Sequence, residues 1–151
     1  MEPDMRPIQS NWLTKVQLAC AWPVEPFWVK GSIFRGDYYT IQKTDYLPNL
    51  YHINGNAVYN LGQPEEYKNF YFNQMRPYVI KRWGDSLNAY DTDVWDFLYF
   101  RDNYDKARHI LSKFVYTDLI HNMWKTNYSV SDHVKKHPDT FLVHGGYQIP
   151  S

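Results

Sequence analysis

The chain has 151 residues, 44% of them hydrophobic, so it supplies one domain's worth of material and enough to bury a core. Its 16 basic and 16 acidic residues cancel, which removes any global field for nucleic acid or an anionic membrane and leaves phosphate binding to local features. One cysteine, Cys20, excludes an internal disulfide framework and reads as a buried core thiol, and no apolar run is long enough to span a bilayer.

From the N-terminus, Ser10 is placed to cap a helix of about three turns in which Trp12, Leu13, Val16 and Ala19/Cys20 recur at helical spacing until Pro23 and Pro26 close it. Phe27 to Val29 reads as a short buried strand ended by Gly31, and residues 34–49 read mostly as loop. Tyr51 to Leu61 alternates around Gly55 as a strand, a tight turn and a second strand or helix start. Pro64 with Glu65 and Glu66 opens a helix with Tyr67, Phe70, Tyr71 and Met75 on one face, which Pro77 is expected to end. Asp91 is placed to cap a further helix with Val94, Trp95, Phe97 and Leu98 as its apolar stripe, and Asn103 to Lys113 continues helically. Thr140 to Val143 is a β-type run stopped by His144-Gly145-Gly146. Short strands alternating with helices, without repeats or linkers, indicate an α/β or α+β domain.

Several residues carry candidate chemistry. In Glu2-Pro3-Asp4 the two carboxylates point to the same side of an extended backbone, as a pair sharing one Mg²⁺ or Mn²⁺ does, although a solvated acidic chain start has the same composition. His144 can complete a transition-metal coordination sphere, and Gly145 and Gly146 let backbone approach phosphate oxygens; the plain alternative is a turn residue. Asn54, Gly55 and Asn56 offer amides suited to hydroxyl groups, or form an ordinary Asn-Gly hairpin turn. In Asp91-Thr92-Asp93 one of the two carboxylates is placed to cap a helix. Lys30 and Ser32 are candidate contacts to phosphate or acceptor, and Trp28, Trp95 and Trp124 either stack on sugar rings or pack the core.

The order and spacing of MEPDMRPIQSNWL, FWVKGS, YHINGNAVYN, AYDTDVWDF and TFLVHGG are similar, over nearly the whole chain, to a family of GT-A fold glycosyltransferases known mainly from algae, other protists and large DNA viruses. The resemblance implies the C-terminal half of a Rossmann-like domain, a mixed sheet flanked by helices. The chain, residues 1–151, would be a single partial domain starting at the D-x-D-like motif, with the upstream nucleotide-binding part missing. It implies Asp4 as a metal ligand, Glu2 supporting the metal or the donor ribose, and His144 as a further ligand; Glu2 stands where the family pattern has Asp. Asn54, Gly55 and Asn56 become donor-sugar contacts, Lys30 and Gly145 donor contacts, and Asp91 or Asp93 the carboxylate facing the acceptor, with Asp91 favoured. The implied reaction moves a sugar from a nucleotide-diphosphate sugar, with Mn²⁺ or Mg²⁺, to a glycan or glycoprotein hydroxyl, in the secretory pathway or a viral glycosylation system. A non-catalytic carbohydrate-binding or interaction domain and a metal-dependent phosphoester hydrolase are the competing readings.

Overall fold

Strands of two or three residues are too short to stand alone and need pairing partners and packing against other elements. The computed structural model, which describes residues 3–21, 26–37, 48–62, 64–84 and 89–150, meets this with small mixed sheets. Strand β1 (Met5–Pro7) pairs antiparallel with β7 (Leu142–His144), which pairs parallel with β5 (Ile120–Asn122). A second sheet places β2 (Val29–Gly31) between antiparallel β3 (Val58–Tyr59) and parallel β4 (Phe114–Tyr116). A third joins β6 (Asn127–Tyr128) to β8 (Tyr147–Gln148) in parallel. The described residues are therefore of mixed α/β class.

The first sheet has two buried faces, because successive side chains of a strand alternate. Ile120 and Leu142 face helix α1 (Trp12–Ala21), whose Trp12, Val16 and Ala19 pack against them. Val143 faces the other way, into a cluster with Met123 and Tyr128 under helix α7 (Val130–Lys136). The aromatic core lies beneath the second sheet, where Trp28, Phe70 and Phe97 pack with Val29, Met75, Val79 and Val94. Trp28 and Phe70 stack with ring centroids 5.4 Å apart, so Trp28 is a core residue and not a sugar platform.

The local expectations meet mixed outcomes. Helix α1 forms, but its first carbonyl acceptor is Asn11, in the left-handed region at φ 61°, rather than Ser10. Cys20 is exposed, because α1 lies on the surface and buries none of its residues outright. The closing Pro23 lies outside the described residues, as do residues 38–47 of the expected loop; Pro48–Tyr51 forms a helical turn, α2. Before Gly55 no strand forms, and β3 alone follows it.

Pro77 does not end its helix. Helix α3 (Pro64–Asn69) runs into a π-helical turn, Phe70–Met75, and on into α4 (Arg76–Trp83), with Pro77 in the first turn of α4. The wider π turn bonds Arg76 N–H to the Tyr71 carbonyl, and the first turn of the next helix tolerates a residue without an N–H. Helix α5 (Tyr90–Tyr99) forms over the expected stripe, but Ala89 occupies the cap position and Asp91 sits inside the first turn. Arg101–Asn103, α6 (Tyr104–Ala107) and Leu111–Lys113 are short helical pieces.

Candidate functional site

Pairing register brings the two ends of the chain together. Met5 lies opposite His144 in the β1–β7 ladder, so Asp4, one residue earlier, comes to the carboxyl end of β7. There Asp4 Oδ2 is 3.1 Å from His144 Nε2, with the Asp4 side chain 50% exposed and that of His144 only 9%. Two left-handed glycines follow, Gly145 at φ 62° and Gly146 at φ 75°, and they turn the chain sharply away. A side chain at Gly146 would place Cβ 2.8 Å from the carbonyl oxygens of Met123 and Thr126, so this turn is built for glycine. His144 is anchored by its own carbonyl, which accepts from Met123 N–H at 2.8 Å.

His144, Met5 and Asn122 are register partners and share the sheet face that carries Ile120 and Leu142. That face borders a cavity of about 570 Å³ whose opposite wall includes Gly55 and Asn56. The loop around residue 55 and Met5, the neighbour of Asp4 in the chain, thus line one hollow, while Asp4 and His144 lie beyond its lining residues.

The loop is held by its own bonds. Asn54 N–H donates to the Ser32 carbonyl at 3.1 Å, and Asn54 Oδ1 accepts from Asn56 N–H at 3.0 Å, a local side-chain turn. Gly55 N–H donates to Asp91 Oδ2 at 2.7 Å, and the Gly55 carbonyl accepts from the Tyr59 hydroxyl at 2.9 Å. Gly31 packs beneath, where an added Cβ would lie 2.5 Å from Ile53 and 2.8 Å from the Ala57 side chain.

Asp91 gathers three donors. Besides Gly55, its Oδ2 lies 3.1 Å from His52 Nε2 and its Oδ1 accepts from Thr92 N–H at 2.9 Å. Burial alone would raise the carboxyl, but the hydrogen bond and charge of His52 and the two backbone N–H groups outweigh it and leave Asp91 below the ordinary range. A carboxylate so held is a poor proton acceptor and a good staple between loop and helix. Asp93 and Asp96, one helical turn further, are both buried. Burial first, and then the charge of Asp93, push the Asp96 carboxyl up, against the pull of Arg82.

Other expected residues lie elsewhere. Lys30 donates its ammonium to the Ala19 carbonyl at 2.9 Å and rests over the Phe27 ring, which ties β2 to the end of α1. Ser32 is buried and bonds to the Ile33 carbonyl. Trp95 is half-buried, stacks on Tyr99 at 4.4 Å and lines a small cavity of about 100 Å³ with Asp91, whereas Trp124 carries Lys125 over its ring. Glu2 lies outside the described residues. Sequence reasoning missed His52, although it stands in the same segment as Asn54, and it missed Asp96, whose i+3 spacing from Asp93 was the available signal.

Among the described residues, no group of three or more His, Cys, Asp or Glu side chains is arranged to hold a metal ion. The Asp4–His144 pair offers one carboxylate and one imidazole, a donor set that fits a divalent cation whose remaining ligands come from phosphate and water. No helix of the described residues is long and apolar enough to cross a membrane. No protein-family model, no curated protein and no solved structure matches the chain significantly.

Proposed function

We propose that this domain is the catalytic half of a GT-A type glycosyltransferase that uses a divalent cation, Mn²⁺ or Mg²⁺, to transfer a sugar from a nucleotide-diphosphate sugar to a hydroxyl of a glycan or glycoprotein. The observation that carries the reading is the 3.1 Å approach of Asp4 to His144. Two ligands about 2.1 Å from one ion and at right angles to each other lie about 3 Å apart, so the pair has the spacing of neighbouring corners of an octahedron. Its place at the carboxyl ends of β7 and β5 is where open α/β sheets bind ligands.

In this reading Asp4 and His144 hold the cation, with Glu2 as a further candidate ligand. When bound, the cation neutralises charge gathering on the departing nucleoside diphosphate. Gly145 and Gly146 pack against the backbone of residues 123–126, so their part is to turn the chain sharply behind His144. Gly55 and Asn56, which line the cavity beside Met5, are the candidate contacts to the donor sugar. Asp91 acts as a positioning residue that fixes their loop, which leaves the buried Asp93 as the remaining candidate for the acceptor-side carboxylate. Lys30, engaged with Ala19, braces the sheet instead of contacting donor.

Thermal stability measured with UDP-sugars, GDP-sugars and UDP, each with and without Mn²⁺, tests the assignment. Nucleotide stabilises the protein only when Mn²⁺ is present, and Asp4→Asn or His144→Gln removes that effect. Stabilisation by free glycans with no need of metal supports a binding module, and metal-dependent cleavage of a simple phosphoester supports a hydrolase. In a turnover assay Asp91→Asn raises KM for the donor while Asp93→Asn lowers kcat.

A further inference from the structure

Three of the chain's six histidines meet on the other face of the first sheet. His121 comes from β5, His133 from α7 and His137 from the residue that closes α7. Their ring centroids are 5.1 Å apart for His121–His133, 4.8 Å for His121–His137 and 5.0 Å for His133–His137. Because His121 pairs in register with Val143 and His144 with Asn122, alternation puts this cluster on the face opposite His144. It is a separate site from the one proposed above.

We infer that His121, His133 and His137 form a binding site for a transition-metal ion of the zinc class. Zinc–nitrogen bonds of about 2.0–2.1 Å at tetrahedral angles hold three imidazole centroids about 5 Å apart, which is the triangle found here. Ligating nitrogens in such a site are about 3.3 Å apart; His121 Nδ1 and His133 Nε2 are separated by 3.1 Å. The other nitrogen of His121, Nε2, is 3.4 Å from Asp118 Oδ1, the carboxylate partner that orients a metal-bound histidine. Tyr116 donates to that same oxygen at 2.6 Å and fixes it in place.

As they stand the rings do not converge on one ion position. His121 and His133 share a hydrogen bond instead. Binding needs His133 to carry its hydrogen on Nδ1 in place of Nε2, a tautomer change that keeps the ring neutral, and needs the rings to turn about centroids already suitably spaced. A fourth position is reachable by water, since His133 and His137 line a cavity of about 500 Å³ and His121 and His137 line another of about 260 Å³. The buried Tyr128 hydroxyl, on the larger cavity, has no hydrogen-bond partner among the described residues.

Metal content after dialysis against Zn²⁺, together with the visible spectrum after Co²⁺ loading, tests this without reference to transferase activity. One equivalent of zinc and a tetrahedral cobalt spectrum are expected in the parent and in the Asp4→Asn/His144→Gln double variant. His137→Gln, at a half-buried ring and with its fold checked by circular dichroism, abolishes both, and Asp118→Asn weakens zinc by about 10- to 100-fold. Absence of tight zinc in the parent, or binding that survives His137→Gln, overturns the site. Zinc lost with Asp4 and His144 but kept in His137→Gln assigns the ion to the other face and overturns it as well.

Discussion

The two candidate ligand-facing regions differ in how much of their polar chemistry is already spent within the protein. At the end of β7, Asp4 is half-exposed and meets one imidazole, so the carboxylate keeps room for another partner. At the start of α5, Asp91 accepts from Gly55 and Thr92 and lies against His52, nearly all out of water. The first region keeps a carboxylate facing solvent, and the second is a brace that ties the loop around residue 55 to helix α5. A carboxylate's position in a cleft therefore says less about its role than the number of donors it already satisfies.

That contrast is broken most directly by removing each carboxylate and reading stability. Asp91→Ala leaves Gly55 N–H, Thr92 N–H and His52 without their acceptor, and about 2–3 kcal/mol of stability is expected to go. Melting should show this as a fall of about 4–10 °C. Gly146→Ala tests the turn behind His144: a left-handed alanine with its Cβ against two carbonyl oxygens is expected to cost about 1–3 kcal/mol, read by urea unfolding. Asp96→Asn sharpens the account of α5. A raised folded value stabilises the protonated, acidic side and costs stability as pH rises through it, so the amide should raise the melting temperature more at neutral pH than below the unfolded carboxylate value of about 3.9.

Asp91 runs the opposite way. Its folded value is depressed, so its contribution is full above the unfolded carboxylate value of about 3.9 and is lost as pH falls through the lower folded value. The melting-temperature gap between parent and Asp91→Asn should close in that acidic window. The smallest effect belongs to Asp4→Asn, expected to change stability by less than about 0.5 kcal/mol because its side chain is half in water. A loss comparable to that of Asp91→Ala would mean Asp4 is a structural brace too.

What could be read from the sequence follows from how long each signal runs. Helices α1 and α5 were legible because apolar residues recur over several turns, and the 140–143 run because it is β-type throughout and ends in two glycines. Residues 114–139 carry β4, β5, β6 and α7 in pieces of two to seven residues, too short for a period to declare itself. Pro77 misled because a π turn just before it absorbs the missing N–H, which no local rule foresees. Cys20 misled because the α1 stripe buries its ring and branched residues only in part.

The site divides in the same way. Asp4 and His144 were each identifiable by residue type, yet only the antiparallel register of β1 with β7 makes them neighbours. Asp91, which the sequence offers as a helix cap, lies inside the first turn, and its contacts to Gly55 and His52 come from the fold alone. The histidine triangle needs the fold as well, because His121 reaches the other two rings only when α7 folds back over β5.

The most direct measurement of the central claim is Mn²⁺ binding by electron paramagnetic resonance, in the presence of UDP or GDP, to the parent, Asp4→Asn and His144→Gln. The account predicts one nucleotide-dependent Mn²⁺ in the parent that is lost in both variants, whose folds remain intact by circular dichroism. Equal Mn²⁺ binding in all three proteins, or none in the parent with either nucleotide, contradicts it.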